Sequence, residues 1–463
     1  MKKRPATDWL ASESLFYNTK TLKISKNINE VIDFEHFDWD ADGLCNYLDF
    51  GYVVFGKTPV KYVHFMRPNA ELVLKNNQLV EEVNQQKETL IFEQLEVPTQ
   101  SEKVIDQMIS NIQTWEAQKN TPIVCPLSGG LDSRFLVHAI SNKQSLKCFT
   151  YDSYEQHEIN KAQMLTDIKK VHWQSIHLQN NINYLSAWCD LFGVSSHAHG
   201  MHMFNFFTII EQTLHLKADK RLISGLIGDA WSGAVNIDKI ESPQDIARLC
   251  LTHGLRADSR FCKIQNKKNL YNIQFFEENR QKLLNHRYRV IETMRNKIML
   301  LKYLLNVPQT FNYETYAPFI QQEISLNMLR LPDKQRNNRA WQREFFKKVD
   351  LDIEQKYQPT SSVPYRKVSL QGIVKQLQHK RYKPLNPKLL GEIIDEKYTR
   401  WVNNEILMSP LKKISNKAII WGMDKKIIWR FASKSQLFEA FYAYLTLMPL
   451  QKLIQQRQKY FNN

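Results

Sequence analysis

Apolar residues recur at three- and four-residue intervals through Val104, Ile105, Met108, Ile109, Ile112 and Trp115, the spacing of one helix face. The pattern predicts an amphipathic helix within residues 98–118. A different pattern begins at Pro122. Residues 123–127 form a short apolar run, broken by Ser128-Gly129-Gly130 and followed by a helix with Phe135, Leu136 and Ile140 on its inner face. Strands at 146–151, 173–178 and 221–224 then alternate with helices at 158–170 and 203–217. Such alternation predicts βαβ units on a parallel sheet, an α/β fold. Right-handed crossovers gather the strand ends, and any ligand, at one edge. Beyond about residue 240 the spacing is mostly helical, and Lys/Arg-rich faces such as 280–302 read as solvated surface. Upstream, residues 43–84 read as a small β-rich unit. Residues 51–55 are strand-like up to Gly56, 67–69 form a turn, 71–74 alternate, and Lys75-Asn76-Asn77-Gln78 is a hairpin turn before Leu79-Val80.

The chain has 463 residues, 43% hydrophobic and 24% charged, which excludes collagen-like, rod-like and wholly disordered classes. Its length and the change of pattern suggest two units, 1–99 and 100–463. The net charge is +16, and it is uneven. Residues 1–100 hold 11 Lys/Arg and 15 Asp/Glu, a net −4, leaving +20 for the rest. An anionic ligand is therefore expected after residue 100. Six cysteines without a CxxC pair read as reduced, buried thiols rather than a zinc or redox site. No apolar stretch reaches signal-peptide or membrane-span length, so a cytoplasmic protein without a membrane span is expected.

The string Ser128-Gly129-Gly130-Leu131-Asp132-Ser133 sits between a strand and a helix. Two glycines let a backbone approach a ligand closely, and the helix N-terminus offers unpaired N–H groups and positive potential. The serines add hydroxyl donors, and Asp132 suits Mg2+ bridging phosphate oxygens. No GxxxxGK[ST] string occurs, so this is not a Walker loop.

This loop, with Leu127, resembles the pyrophosphate loop of the asparagine synthetase family of ATP pyrophosphatases. Cys148-Phe149-Thr150-Tyr151-Asp152 resembles that family's second strand. Residues 158–178 resemble its next helix and strand, and Ser224-Gly225-Leu226-Ile227-Gly228-Asp229 resembles its SGEGSD motif. Tyr316-Ala317-Pro318-Phe319 and Leu331-Pro332 resemble landmarks of its helical region. The resemblance implies a sheet of the adenine nucleotide alpha-hydrolase type with a mostly helical extension over 240–463. It implies ATP and Mg2+ as cofactors. Leu127, Ser128, Gly129, Gly130, Asp132, Ser133, Tyr151, Ser224 and Gly225 would hold the nucleotide, and Asp132 and Asp229 the metal. It also implies a catalytic lysine, for which Lys367 is the candidate. The family's glutamate falls at Leu226, which can neither accept a proton nor orient an amine; Glu155 and Glu158 are possible substitutes. His197, His199 and His202 lack standard zinc spacing and read as a pocket wall or as plain surface or core histidines.

Residues 43–52 and 72–74 resemble the end of the family's glutaminase domain. Residue 2 is Lys and the first cysteine is Cys45, so no N-terminal thiol nucleophile is expected here. The implied activity is ATP-dependent amide formation through an acyl-adenylate, releasing AMP and pyrophosphate. Its partners would be a small-molecule or peptide carboxylate and ammonia or an amine. A separate glutaminase or a homodimer would be a macromolecular partner. Alternatives are an intramolecular cyclase of the beta-lactam synthetase or lasso-peptide type, a tRNA-modifying enzyme, or a scaffold without catalysis. Nucleic acid is disfavoured because aromatic–basic interleaving is not evident.

Overall fold

The computed structural model describes residues 4–152, 156–177, 184–215, 219–252, 254–265, 270–356, 383–407 and 434–462. It is an α/β molecule. The first strands, β1 (Phe16–Asn18), β2 (Ile24–Ser25) and β3 (Val63–Phe65), form a small antiparallel sheet in the order β2-β1-β3. Strands β4 (Ala70–Lys75) and β5 (Gln78–Val83) form a hairpin. Its turn is Asn76-Asn77, both with positive φ (49° and 58°), as a two-residue hairpin turn requires.

The central sheet is five-stranded and parallel, in the order β10-β9-β6-β7-β8. It contains β6 (Ile123–Pro126), β7 (Leu146–Asp152), β8 (His172–His177), β9 (Lys220–Ile223) and β10 (Tyr313–Tyr316). From β6 the chain builds outward through β7 and β8, then returns to add β9 and β10 on the other side. The order reverses between β6 and β9, the crevice where open α/β sheets bind ligands.

The helix Ser101–Ala117 buries Val104, Ile105, Met108, Ile112 and Trp115, the stripe its spacing predicts. Its C-terminus is tied down by Arg221 of β9. That buried guanidinium donates to the carbonyls of Trp115, Glu116 (3.0 Å) and Lys119 (2.9 Å) and lies 3.8 Å from the Trp115 ring centroid. A cation there satisfies the orphan carbonyls of a helix end.

Three expectations are corrected. Residues 41–50 are helical (Ala41–Phe50), capped by Asp40 and ended by Gly51 at φ 76°. Residues 52–55 form no strand. They are buried, make an isolated bridge from Tyr52 to Ser196, a bond from the Val53 N–H to the Ser195 carbonyl (3.1 Å) and one from the Tyr52 hydroxyl to the Leu251 carbonyl (3.3 Å), and end at Phe55 with φ 57°. An all-apolar run therefore reflects burial on every side rather than sheet pairing. Finally, the helix His286–Leu301 is not a solvated face. Arg289, Glu292, Arg295 and Lys297 are each at most 7% exposed. Arg289 reaches the carbonyls of Ile237, Leu283 and Leu284, while Arg295 pairs with Glu88 and Glu292. One buried apolar cluster runs from Trp9 to Ile454. Among the described residues, no helix is long and apolar enough to cross a membrane.

Candidate functional site

Strands β6 and β9 end at Pro126 and Ile223, so residues 127–133 and 224–229 leave the sheet side by side at the point where strand order reverses. Leu127 is fixed by β7. Its N–H donates to the Phe149 carbonyl (2.7 Å) and its carbonyl accepts from the Thr150 hydroxyl (2.7 Å). Ser128 and Ser133 lie with hydroxyls 3.2 Å apart, and the Gly130 N–H donates to the Ser128 hydroxyl (3.3 Å). The helix Leu131–Ala139 begins at Gly130 without a side-chain cap, which leaves its first N–H groups for other acceptors.

The glycines serve chiefly to let protein approach protein. Gly129 has φ +71°, and a Cβ there would lie 2.6 Å from Cβ of Lys161, on the helix Gln156–Lys169. A Cβ on Gly228 would lie 2.8 Å from Cγ of Asp132, and one on Gly225 would lie 3.3 Å from Cβ of Asp132. Gly130 is the exception: among the described residues its Cβ would meet only the Ser128 hydroxyl, at 3.2 Å, which leaves room for close approach to its backbone.

Asp132 and Asp229 are thereby brought together. Burial pushes the Asp132 carboxyl up to about 6, and the Asp229 charge pushes the same way; Arg339, Gln342 and the Asp229 N–H oppose them. Arg339 forms an ion pair with Oδ1 of Asp132, and Gln342 donates to the same oxygen at 3.2 Å. Two neighbouring carboxylates, the charge of Asp229 opposing ionisation of Asp132, suit a divalent cation, which would relieve that repulsion. The residues present therefore fit Mg2+, with Arg339 beside it as a second positive charge. Asp229 also accepts from the N–H of Ala230 (3.0 Å). Its charge is felt by buried Lys297, whose ammonium burial pushes down.

The remaining expected residues fall as follows. Tyr151 is half-buried at the end of β7, its ring 5.4 Å from His202 and 5.9 Å from Phe206. Ser224 is buried and donates its N–H to the Tyr316 carbonyl (2.9 Å). Glu158 opens the helix Gln156–Lys169, half-buried, its carboxyl pushed up by burial against the pull of Lys161. No bond among the described residues joins it to Asp132 or Asp229. Leu226 is 3% exposed, so the position where the family has Glu is part of the core. The next residue, Ile227, has φ +56°, a strained value for a β-branched side chain. Lys367 and Glu155 lie outside the described residues.

The three histidines do not form a metal site. His197 accepts the N–H of His199 at Nδ1 (3.0 Å), and its Nε2 bonds the Tyr442 carbonyl (3.1 Å). Both ring nitrogens are spent, and burial holds the ring neutral.

Sequence reasoning missed Arg339, Gln342, Arg134 and Lys297. Arg134 is fully buried. It binds Glu354 through both terminal nitrogens (2.7 and 2.6 Å), and also the carbonyls of Leu351 (3.1 Å) and Gly129 (3.0 Å), clamping the glycine loop. Arg339 follows Asn338, and both have positive φ (53° and 58°). No residue pattern marks two non-glycine left-handed positions in advance.

No family model matches this chain, and no curated protein matches it by sequence. Among solved structures, an NH3-dependent NAD synthetase from Campylobacter jejuni, in complex with the nitrate ion, is similar over 57% of this chain and 100% of its own. The identity is 14% and the TM-score 0.22; at those values neither residues nor activity are transferred.

Proposed function

We propose that the protein binds Mg-ATP at the crevice between β6 and β9 and forms an amide bond through an acyl-adenylate, releasing AMP and pyrophosphate. The observation that carries this reading is the meeting of residues 128–133 with residues 224–229 at the strand-order reversal, Gly225 and Gly228 both packed on Asp132. It supports the resemblance to asparagine synthetases from an independent direction. A superficial glycine turn would not be pressed against a second acidic loop.

In this reading Ser128, Gly130, Ser133 and the N-terminus of the helix Leu131–Ala139 take the pyrophosphate oxygens, and Leu127 and Tyr151 flank the adenosine. Mg2+ would be held by Asp132 and Asp229, where it neutralises phosphate charge. Arg339 is placed to follow the negative charge that develops as pyrophosphate leaves, since it already sits on Asp132. Ser224 and Gly225 close the nucleotide side. With Leu226 in the core, activation of the amine falls to another group; Glu158, its carboxyl raised by burial, and Lys367 are the candidates. The acyl substrate is a small-molecule or peptide carboxylate.

The test is ATP–pyrophosphate exchange across a panel of carboxylates. Wild type should exchange with one class of acid, and Asp132→Ala and Asp229→Ala should each lose about 100-fold or more while far-UV and near-UV circular dichroism stay native. Exchange unchanged in both variants would refute the assignment.

A further inference from the structure

A cavity of about 420 Å³ lies between the β4–β5 region and the helices Leu270–Asn279 and His286–Leu301, and none of its lining residues belongs to the loops after β6 and β9. Its volume is within the range of small-molecule sites. We propose that it binds a zwitterionic small molecule of the α-amino-acid class with an apolar or aromatic side chain.

The floor of the cavity is anionic. Glu88, Glu292 and Arg295 line it, and each is at most 7% exposed. Arg295 is spent on Glu88, Glu292 and the Trp9 carbonyl. Two buried carboxylates thus share one guanidinium; Asn69 donates to Glu88 (2.8 Å) and the Lys282 charge reaches Glu88 from the mouth, and a cation seated on the floor itself would meet the excess negative charge directly. An ammonium group would do so.

The wall is aromatic. Phe55, Tyr271 and Phe275 all line the cavity and stand with ring centroids 5.2, 5.8 and 6.1 Å apart. Such faces bury an apolar side chain and attract a cation through their quadrupoles.

The mouth is mixed, with cations holding spare donors. Arg67 bonds Glu81 through its backbone N–H and through Nε (3.1 Å), which leaves its terminal NH2 groups without a protein acceptor among the described residues. The Lys282 ammonium makes no hydrogen bond or ion pair among the described residues; it stands 5.8 Å from the Tyr288 ring centroid, and its charge reaches Glu88. Glu278 also lies at the mouth, where it accepts from Gln274 (2.8 Å). A ligand carboxylate can therefore be taken by Arg67 and Lys282 while its ammonium sits on the floor. This placement does not rest on the nucleotide reading, because binding here is measured without ATP.

The experiment titrates the full chain with L-phenylalanine, phenethylamine and 3-phenylpropanoate, each up to about 10 mM, reading thermal stability, which rises with occupancy of a native-state site. L-phenylalanine should raise the melting temperature, and each half-molecule should bind at least about tenfold more weakly. Lys282→Ala, at the half-exposed mouth, should reduce L-phenylalanine to the level of phenethylamine and leave phenethylamine unchanged. Tyr271→Ala should weaken all three, and Glu292→Gln should selectively weaken the two amines if it folds. No shift with L-phenylalanine, equal binding by either half-molecule, or an unaltered Lys282→Ala variant would each overturn the proposal.

Discussion

Asp132 carries opposing demands. Burial and the Asp229 charge push its carboxyl up from 3.8 to about 6 despite Arg339, so ionising it costs more in the folded chain than in the unfolded one. Asp132→Asn is therefore expected to hold or raise the melting temperature by the equivalent of about 1 kcal/mol while removing exchange, a trade of stability for function; calorimetry beside the exchange assay checks it. His64 on β3 shows the contrary sign. Burial, aided by Lys57, lowers it to about 4 against an opposing Asp40. The unfolded chain then binds the extra proton between its ordinary value of 6.5 and about 4, so stability is full above that window and falls as the pH drops through it. Each unit of such a shift is worth about 1.4 kcal/mol. His64→Gln should flatten part of the decline of urea stability between pH 6.5 and 4. His138, also lowered to about 4 by burial, and the buried His197 and His202 should contribute to what remains. An unaltered pH profile in His64→Gln would contradict this.

At the scale of elements, the glycines and Arg134 set the site. A Cβ on Gly228 would lie 2.8 Å from Asp132, whereas Gly254 has φ +83° and, among the described residues, nothing within 4 Å of such a Cβ. Gly228→Ala should displace the Asp132 carboxylate and depress exchange by at least about tenfold. Gly254→Ala should cost only the backbone strain, about 1 kcal/mol, and keep activity. Comparable exchange in the two variants would show that the Gly228 contact is unimportant. Arg134→Ala strands Glu354 and frees the Gly129 carbonyl. Glu354 is half-buried, 29% exposed, so the loss should fall below the about 3–5 kcal/mol of a fully buried pair; it is measurable by urea unfolding, and Glu354→Gln on that background should recover part of it. The central elements were legible because their patterns are local: the apolar stripe of Ser101–Ala117, the short runs of β6 to β9 and the glycine break. Strand β10, Tyr313-Glu314-Thr315-Tyr316, was not, since a short, half-polar edge strand has no periodic signature and exists only because β9 offers it a partner.

At the scale of the molecule, residues 4–99 are bound into the remainder by Glu88 on Arg295, by the Trp9 indole N–H on the Ile320 carbonyl (2.8 Å) and by the Ala257 N–H on the Leu48 carbonyl (2.8 Å). A chain shortened to begin at residue 101 would leave Arg295 with Glu292 alone and uncover Tyr52-Val53-Val54 contacts across the core. It is expected to aggregate or lose near-UV circular dichroism, as judged beside light scattering. A soluble, native-like shortened chain would refute this.

The sequence by itself determined the alternating strands and helices and the strand–turn–helix setting of Ser128–Gly130, whereas the association of Asp132 with Asp229 was implied only by the resemblance. Periodicity and glycine breaks act over a few residues and so are legible along the chain. Only the tertiary structure decided that Tyr52–Phe55 is core rather than strand, that Arg295 and Lys297 are buried, and that Arg339 rests on Asp132. Those outcomes depend on partners 68 to 241 residues distant: Ser195 and Asn296 for the first, Glu88 and Asp229 for the second. A charged residue in a helical pattern reads as solvated until an opposite charge from elsewhere in the chain meets it, and no spacing along the chain announces that meeting.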